Sequence, residues 1–313
     1  MRRRSWTPYL YLLPAAVILL AFSIYPLFHA FNMSLHTDWG RPGYRFVGLG
    51  NYRHLLVETG EFLHSLGVTV WYAVGTVPIT MILSFLIAGL LFQKLRALGL
   101  FRTIYFLPYV TSTVAAAMVW RWIFNPSSYG LANTVVRWLG GEPLRWYSES
   151  TGVFQLLADN VDVVLPSWAA GPSLALVCVI VFSIWHALGF NVVIFLAGLS
   201  AIPREMYEAA EVDGATGIQR TRYITLPLLS PTLFFLFIIS TIRSFQTFNQ
   251  IYVIARQGET WTRGTEHLTM QIYRHYYTSH DLGAATATAV LLFLIILGLT
   301  FLQMRMLGRR VHY

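Results

Sequence analysis

Six long apolar runs, each about the length of a helix that crosses a bilayer, constrain this chain more than any other feature. A transmembrane helix needs roughly 20 predominantly apolar residues to span a hydrocarbon core about 30 Å thick. Runs of that length fall at about 8–31, 68–92, 103–124, 174–199, 233–255 and 282–304. In lipid only a helix satisfies its own backbone donors and acceptors, so each run is expected to be helical. Pro14, Pro26, Pro78 and Pro108 are tolerated there as they would not be in a soluble helix. The composition agrees, with 56% hydrophobic and 12% charged residues, where a soluble domain carries about a quarter charged. The expected fold class is an all-α polytopic membrane protein, a single transmembrane domain over 1–313 with six transmembrane helices.

Charge sets the expected orientation. The net charge of +8 resembles a nucleic-acid signature. The basic residues lie at the ends of apolar runs, however, so membrane lipid is the expected partner and nucleic acid is not. Lys and Arg are denser in 1–7, 93–102, 203–230 and 305–313 than in 36–63, 125–172 and 255–281. Positively charged connections stay inside, which places the first set, both termini included, in the cytoplasm. The start, Met1-Arg2-Arg3-Arg4, leads into an apolar run longer than the roughly 7–15 residues of a signal h-region, so a retained first span is expected. The external loop 125–172 carries Trp138, Trp146, Tyr147 and Trp168, which suit either a docking surface or an aromatic belt at the headgroups. Cys178, alone within an apolar run, excludes a disulfide framework or a cysteine metal site.

The connection 203–230 breaks the pattern of short cytoplasmic turns, since neighbouring helices are usually joined by about 2–8 residues. It contains Glu208-Ala209-Ala210-Glu211-Val212-Asp213-Gly214 and, nine residues on, Ile224-Thr225-Leu226-Pro227. A short helix over 207–212 would let its alanines approach a partner surface closely. Gly214 can take a positive φ and so permits a sharp bend. A second short helix over 215–225 would follow, with Pro227 at the start of the fifth span. A bent helical pair held at both ends by membrane helices is a lever. The plainer reading of Glu208, Glu211 and Asp213 is a solvated face.

At every fixed position and spacing this stretch resembles the cytoplasmic signature of ABC importer permeases: E-A-A, three residues, G, nine residues, I-x-L-P. Leu107-Pro108-Tyr109 and Asp281-Leu282-Gly283 extend the resemblance over most of the chain. The sugar branch, with its maltose-type and glycerol-3-phosphate-type permeases, is the most similar, and within it the first of the two permease chains. The resemblance implies an inner-membrane subunit that couples to an ATPase through Glu208, Ala209, Ala210, Asp213, Gly214, Ile224, Leu226 and Pro227, with Glu208 meeting a basic residue. It also implies a second homologous permease chain, two ATP-binding subunits and an extracytoplasmic solute-binding protein as partners. ATP and Mg would then sit on the partner ATPase, with no cofactor or metal on this chain. The implied solute is a sugar or oligosaccharide, or alternatively glycerol-3-phosphate or a glycerophosphodiester.

A helix lining a solute path should show polar residues on one face. In the fifth run Arg243, Gln246, Thr247 and Gln250 lie at i, i+3, i+4 and i+7, with Asn249 at the border and Phe245 and Phe248 beside them. Amides with aromatic rings suit a sugar, whose hydroxyls need donors and acceptors while its CH faces stack on rings. Trp185, His186, Phe190 and Asn191 are the candidates in the fourth run, and the resemblance points to the same two helices. The alternative is polar glue between helices. Arg243 is the only basic residue deep in a run, where it would contact a phosphate or lock helices together. Arg121 lies near a run's end and can snorkel.

Other classes fare worse. All 14 Asp and Glu residues fall outside the runs, which argues against an ion-coupled transporter with an intramembrane carboxylate. His29, His36, His54 and His64 are scattered, with no H-E-x-x-H or G-x-S-x-G spacing. There is no phosphate-binding G-x-x-x-x-G-K-[ST] loop either, so no catalytic residue is expected and ATP must be hydrolysed by another subunit.

Overall fold

Helices dominate the computed structural model, which describes residues 7–37, 43–92, 98–159, 162–166, 169–258 and 260–307. Trp168, the 93–97 stretch and both chain ends lie outside these. Among the described residues four helices are long and apolar enough to cross a bilayer: α1 (Tyr9–Ser34), α2 (Glu61–Phe92), α6 (Leu174–Ser200) and α12 (Leu282–Leu307, apolar through Met306). Between them lie α3 (Leu98–Val110), α4 (Thr113–Ile123), α5 (Leu131–Trp138), α7 (Arg204–Val212), α8 (Gly217–Leu228), α9 (Ser230–Phe245), α10 (Asn249–Ile254) and α11 (Leu268–Tyr273).

Two of the six expected spans differ from single helices. The run 103–124 is divided between α3 and α4, which meet at 95°. Pro108 lies in the last turn of α3, just before the break. Its own carbonyl is taken by the Thr111 hydroxyl at 2.6 Å, and the chain restarts after Ser112. The run 233–255 is likewise not one helix. α9 bends from α8 by 67° at its start and ends at Phe245, and α10 begins only at Asn249. Pro26 has a milder effect in α1, where the strain is absorbed by a π-helical turn at Leu20–Ile24.

The chain divides into two compact units. The smaller comprises Met1–Leu63 and Gln271–Ile295. It holds a hairpin in which His36–Thr37 pairs antiparallel with Arg45–Phe46. The amide of the buried Asn51 donates to the carbonyls of Ser34 (2.8 Å) and His36 (3.0 Å). A Cβ on Gly283 would fall 2.4 Å from the His36 oxygen, so only glycine fits there. The apolar stretch of α1 buries none of its residues within the chain.

The larger unit, His64–Met270 with Ile296–Tyr313, packs α2, α3, α4, α9 and α10 around α6. Gly189 of α6 lets α3 come close: a Cβ there would lie 2.2 Å from the Tyr105 oxygen. In α5, the fully buried Asn133 accepts from the Trp146 indole (2.7 Å) and the Leu144 amide, and donates to the Leu144 carbonyl. Trp146 and Tyr147 are half-buried: Trp146 packs on Phe124 and Tyr147 lies under the Arg121 guanidinium at 4.6 Å. Trp138 stays 85% exposed.

Candidate functional site

The wall of the site begins with a polar stripe on α2. Ser65, Thr69, Tyr72, Thr76, Thr80 and Ser84 recur every three or four residues, the spacing of one helix face. All six are buried. Tyr72 is its centre: its hydroxyl donates to Ser183 Oγ of α6 at 2.8 Å and accepts from Thr247 Oγ1 (3.2 Å) and Gln250 Nε2 (3.3 Å). Gly75 permits the approach, since a Cβ there would meet Ile180 Cδ1 at 2.8 Å.

The interruption between α9 and α10 supplies the opposite wall. Backbone freed inside a membrane protein must find partners in protein or line a cavity. Here His267 and Thr269 provide them. His267, fully buried, lies 3.1 Å through Nε2 from the Ser244 carbonyl, and the Thr269 hydroxyl donates to the Thr247 carbonyl. A carbonyl only accepts, so His267 Nε2 carries the proton, and Nδ1 accepts the Thr269 amide at 3.3 Å. Tyr72 meets the imidazole edge to face at 5.7 Å. Burial pushes the His267 pKa down to about 3, against the smaller opposing effect of the Ser244 carbonyl.

These walls enclose a cavity of about 400 Å³, a volume typical of small-molecule sites. Of the residues singled out in the sequence, His186, Asn191, Arg243, Gln246, Thr247, Phe248, Asn249 and Gln250 line it. They do so without the continuous helix the i, i+3, i+4, i+7 pattern implies, because Gln246 to Phe248 are the break itself. Trp185 does not line it; it packs with Trp120 and Phe182 in the apolar core. Phe190 lies behind the wall, its ring 4.5 Å from the Arg243 guanidinium and 5.1 Å from the Tyr109 ring. Phe245 is buried away from the cavity. Tyr72, Thr76, Thr80, Tyr109 and Ser183 are also part of the lining and were missed, although the α2 stripe was visible in the sequence. Asn191 Nδ2 and Thr80 Oγ1 are buried in this wall without partners. An orphaned buried donor costs about 1–3 kcal/mol.

The second candidate site is the bent pair. α7 starts at Arg204, a turn earlier than expected, and Gly214 does adopt a positive φ of 72°. A capping box between Thr216 and Gln219 starts α8, whose later part winds as a π-turn through Thr221–Thr225. Glu208, Ala209, Asp213, Gly214 and Leu226 are exposed; Ala210, Ile224 and Pro227 are half-buried. The two arms are joined where no motif pointed: the Tyr207 hydroxyl lies 3.1 Å from Thr225 Oγ1. Apolar Val212 (88%) and Ile218 (82%) stand out into solvent on either side of the bend.

A membrane-helix scaffold with a polar internal cavity and an exposed bent helical pair defines a transport permease. The chain matches the family described as binding-protein-dependent transport system inner membrane component over residues 80–313, and it belongs to that family. It is 32% identical to the sn-glycerol-3-phosphate transport system permease protein UgpA of Agrobacterium fabrum, over 98% of this chain and 96% of that one. It is also 32% identical to the trehalose/maltose transport system permease protein MalF of Thermococcus litoralis (97% and 94%), and 33% identical to the arabinooligosaccharides transport system permease protein AraP of Halalkalibacterium halodurans (96% and 87%). Among solved structures it resembles a bacterial ABC transporter involved in the import of the acidic polysaccharide alginate, with a TM-score of 0.74 at 21% identity over 98% of this chain and 96% of that one. That likeness is one of fold. The chain is a multi-pass membrane component of an ABC transport system and not itself an enzyme.

Proposed function

We propose that this chain is one of two permease subunits of an ATP-driven importer and that it carries a polyhydroxylated solute of the sugar class through the cavity between α2, α6 and α9–α10. The observation that carries the reading is the cavity wall, where hydroxyls and amides from Tyr72, Asn191, Gln246, Asn249 and Gln250 stand beside the rings of Tyr109 and Phe248. Such a lining matches a solute with alternating hydroxyls and CH faces. The names of the relatives agree on that skeleton, ranging over oligosaccharides, a disaccharide pair and a phosphorylated glycerol.

The remaining assembly follows from the same reading. A second permease chain completes the pathway, two ATP-binding subunits hold ATP and Mg, and a binding protein delivers the solute from outside. Six spans leave both termini in the cytoplasm, with α7–α8 on the ATPase side and 125–172 outside. The bend at Gly214 presents Val212 and Ile218 to a cleft of the ATPase, and closure of the ATPases reaches the cavity through α9. The unburied apolar stretch of α1 lies against lipid or the second permease.

The test uses the assembled complex with Cys178, which is buried, replaced by alanine. Cysteines at Gln246 and Gln250 should react with small water-soluble thiol reagents, and trapping the ATP-bound state should change their rates. A cysteine at Ile251, fully buried in the core, should stay protected. Equal labelling at all three positions, indifferent to nucleotide, would mean the polar wall only joins helices.

A further inference from the structure

Two of the arginines that lie over aromatic rings in the larger unit, Arg121 and Arg243, are used differently. Arg121 stacks on Tyr147 and donates to the carbonyls of Val253 (2.7 Å) and Ile254 (3.4 Å), where α10 ends. Rather than snorkelling, it caps a helix, and its charge is matched to the carbonyl end of a dipole. Arg243, on the cavity wall, stacks on Phe190 at 4.5 Å and Tyr109 at 6.0 Å. Among the described residues its guanidinium has no hydrogen bond and no ion pair, and no aspartate or glutamate lines the cavity with it.

A guanidinium held by its faces keeps its in-plane fork of N–H donors available, the geometry that matches carboxylate and phosphate oxygens. A cation on the wall of a cleft that holds no counter-ion sets up a positive potential there. Asn191, 2% exposed and with its amide nitrogen unpartnered, adds a second donor in need of an acceptor on the same wall. A wall built only to glue helices would have spent these donors on the protein, as Arg121 does.

We infer that the solute carries an anionic group, a carboxylate or a phosphate monoester, and that Arg243 receives it from a seat formed by Phe190 and Tyr109. Gln246, Asn249 and Gln250 then read the hydroxyls of the same molecule. Arg243 is thereby the residue that separates acidic from neutral solutes. This rests on the permease reading for the claim that the bound solute is transported; the charge of the cavity is a separate property, measurable without transport.

The experiment places a single cysteine at Gln246 in the complex lacking Cys178 and compares its reaction with an anionic methanethiosulfonate (sulfonatoethyl) and a cationic one (trimethylammonioethyl), each normalised to its reaction with a free thiol. The anionic reagent should be favoured by about tenfold, the order expected for a charge-lined cleft. Arg243→Gln should abolish that preference and Arg243→Lys should retain it. On the native arginine, glucuronate or glycerol phosphate should slow the labelling where equimolar glucose does not, and whichever is more effective identifies carboxylate or phosphate. A preference for the cationic reagent, a preference unaffected by Arg243→Gln, or equal protection by glucose would overturn the proposal. If Arg243→Gln fails to assemble, the reagent preference and the protection on the native arginine still decide it. Nucleotide sensitivity of the same cysteine reports on the permease reading, so each can fail without the other.

Discussion

The helix break at Gly214 and the helix break at 246–248 solve the same problem by opposite means. At Gly214 the freed groups are satisfied within a few residues: the Asp213 and Ala215 amides bond to Ala209 and Ala210 at 3.0 and 2.8 Å, and Thr216 and Gln219 cap the next turn. At 246–248 the partners come from afar. His267 and Thr269 hold the Ser244 and Thr247 carbonyls, and Tyr72, 175 residues away in sequence, receives the Thr247 hydroxyl. A locally closed bend moves as a unit on its flanking helices, which suits a lever. A remotely closed break is pinned to two other segments, 267–269 and α2, which holds a cavity wall in place.

The most severe way to break this contrast is Gly214→Pro. Proline is confined to φ near −65° and removes the amide that reaches Glu211 at 3.1 Å, so the bend cannot form as it stands. Solute uptake by vesicles containing the complex should be lost while the spans still insert; wild-type uptake at normal expression would refute the lever.

Next comes His267→Ala, which orphans the Ser244 carbonyl and opens a void, and should cost about 3 kcal/mol in thermal or denaturant unfolding. A loss no larger than that of an exposed-site variant would show that the break is not held from a distance. Its pH dependence sharpens the point. The folded pKa lies at about 3, below the roughly 6.5 of the unfolded chain, so only the unfolded state gains a proton between them. Stability from this residue is therefore complete above pH 6.5 and falls on acidification by up to about 1.4 kcal/mol per pH unit until about pH 3. His267→Gln should flatten that slope.

Gln246→Ala should lower uptake about tenfold if its amide makes one hydrogen bond to the solute, since such a bond contributes roughly 0.5–1.5 kcal/mol; an unchanged Michaelis constant and rate would remove Gln246 from the pathway. The smallest change belongs to Gly214→Ala. No atom lies within 4 Å of the added Cβ, so only the left-handed backbone opposes it, at about 1–2 kcal/mol locally. Transport should persist at reduced rate, and loss as complete as in the proline variant would mean that close contact, not flexibility, demands the glycine.

How far the sequence could be read follows the same division. The bend, its glycine and its caps were legible because each is a short-range rule acting on neighbours in the chain. The continuous fifth helix was misread. The 3.6-residue pattern of Arg243, Gln246, Thr247 and Gln250 survives a break whose compensating groups sit elsewhere, so periodicity alone suggests an unbroken rod. The contacts that half-bury Trp146 and Tyr147 were not legible because the partners, Asn133 and Arg121, are not adjacent in the chain. The polar stripe on α2 was readable and overlooked amid apolar neighbours.

Apolar run length by itself determined that this chain enters a membrane as helices, because the missing hydration of backbone groups leaves no other choice. Local spacing determined the Gly214 bend. Only tertiary structure decided that Arg121 is consumed by a helix end while Arg243 keeps its donors for the cavity. Both are arginines flanked by aromatic residues and apolar chain; what separates them is whether carbonyls from a distant helix terminus fall within 3.5 Å of the guanidinium, and that distance is set by packing across the fold.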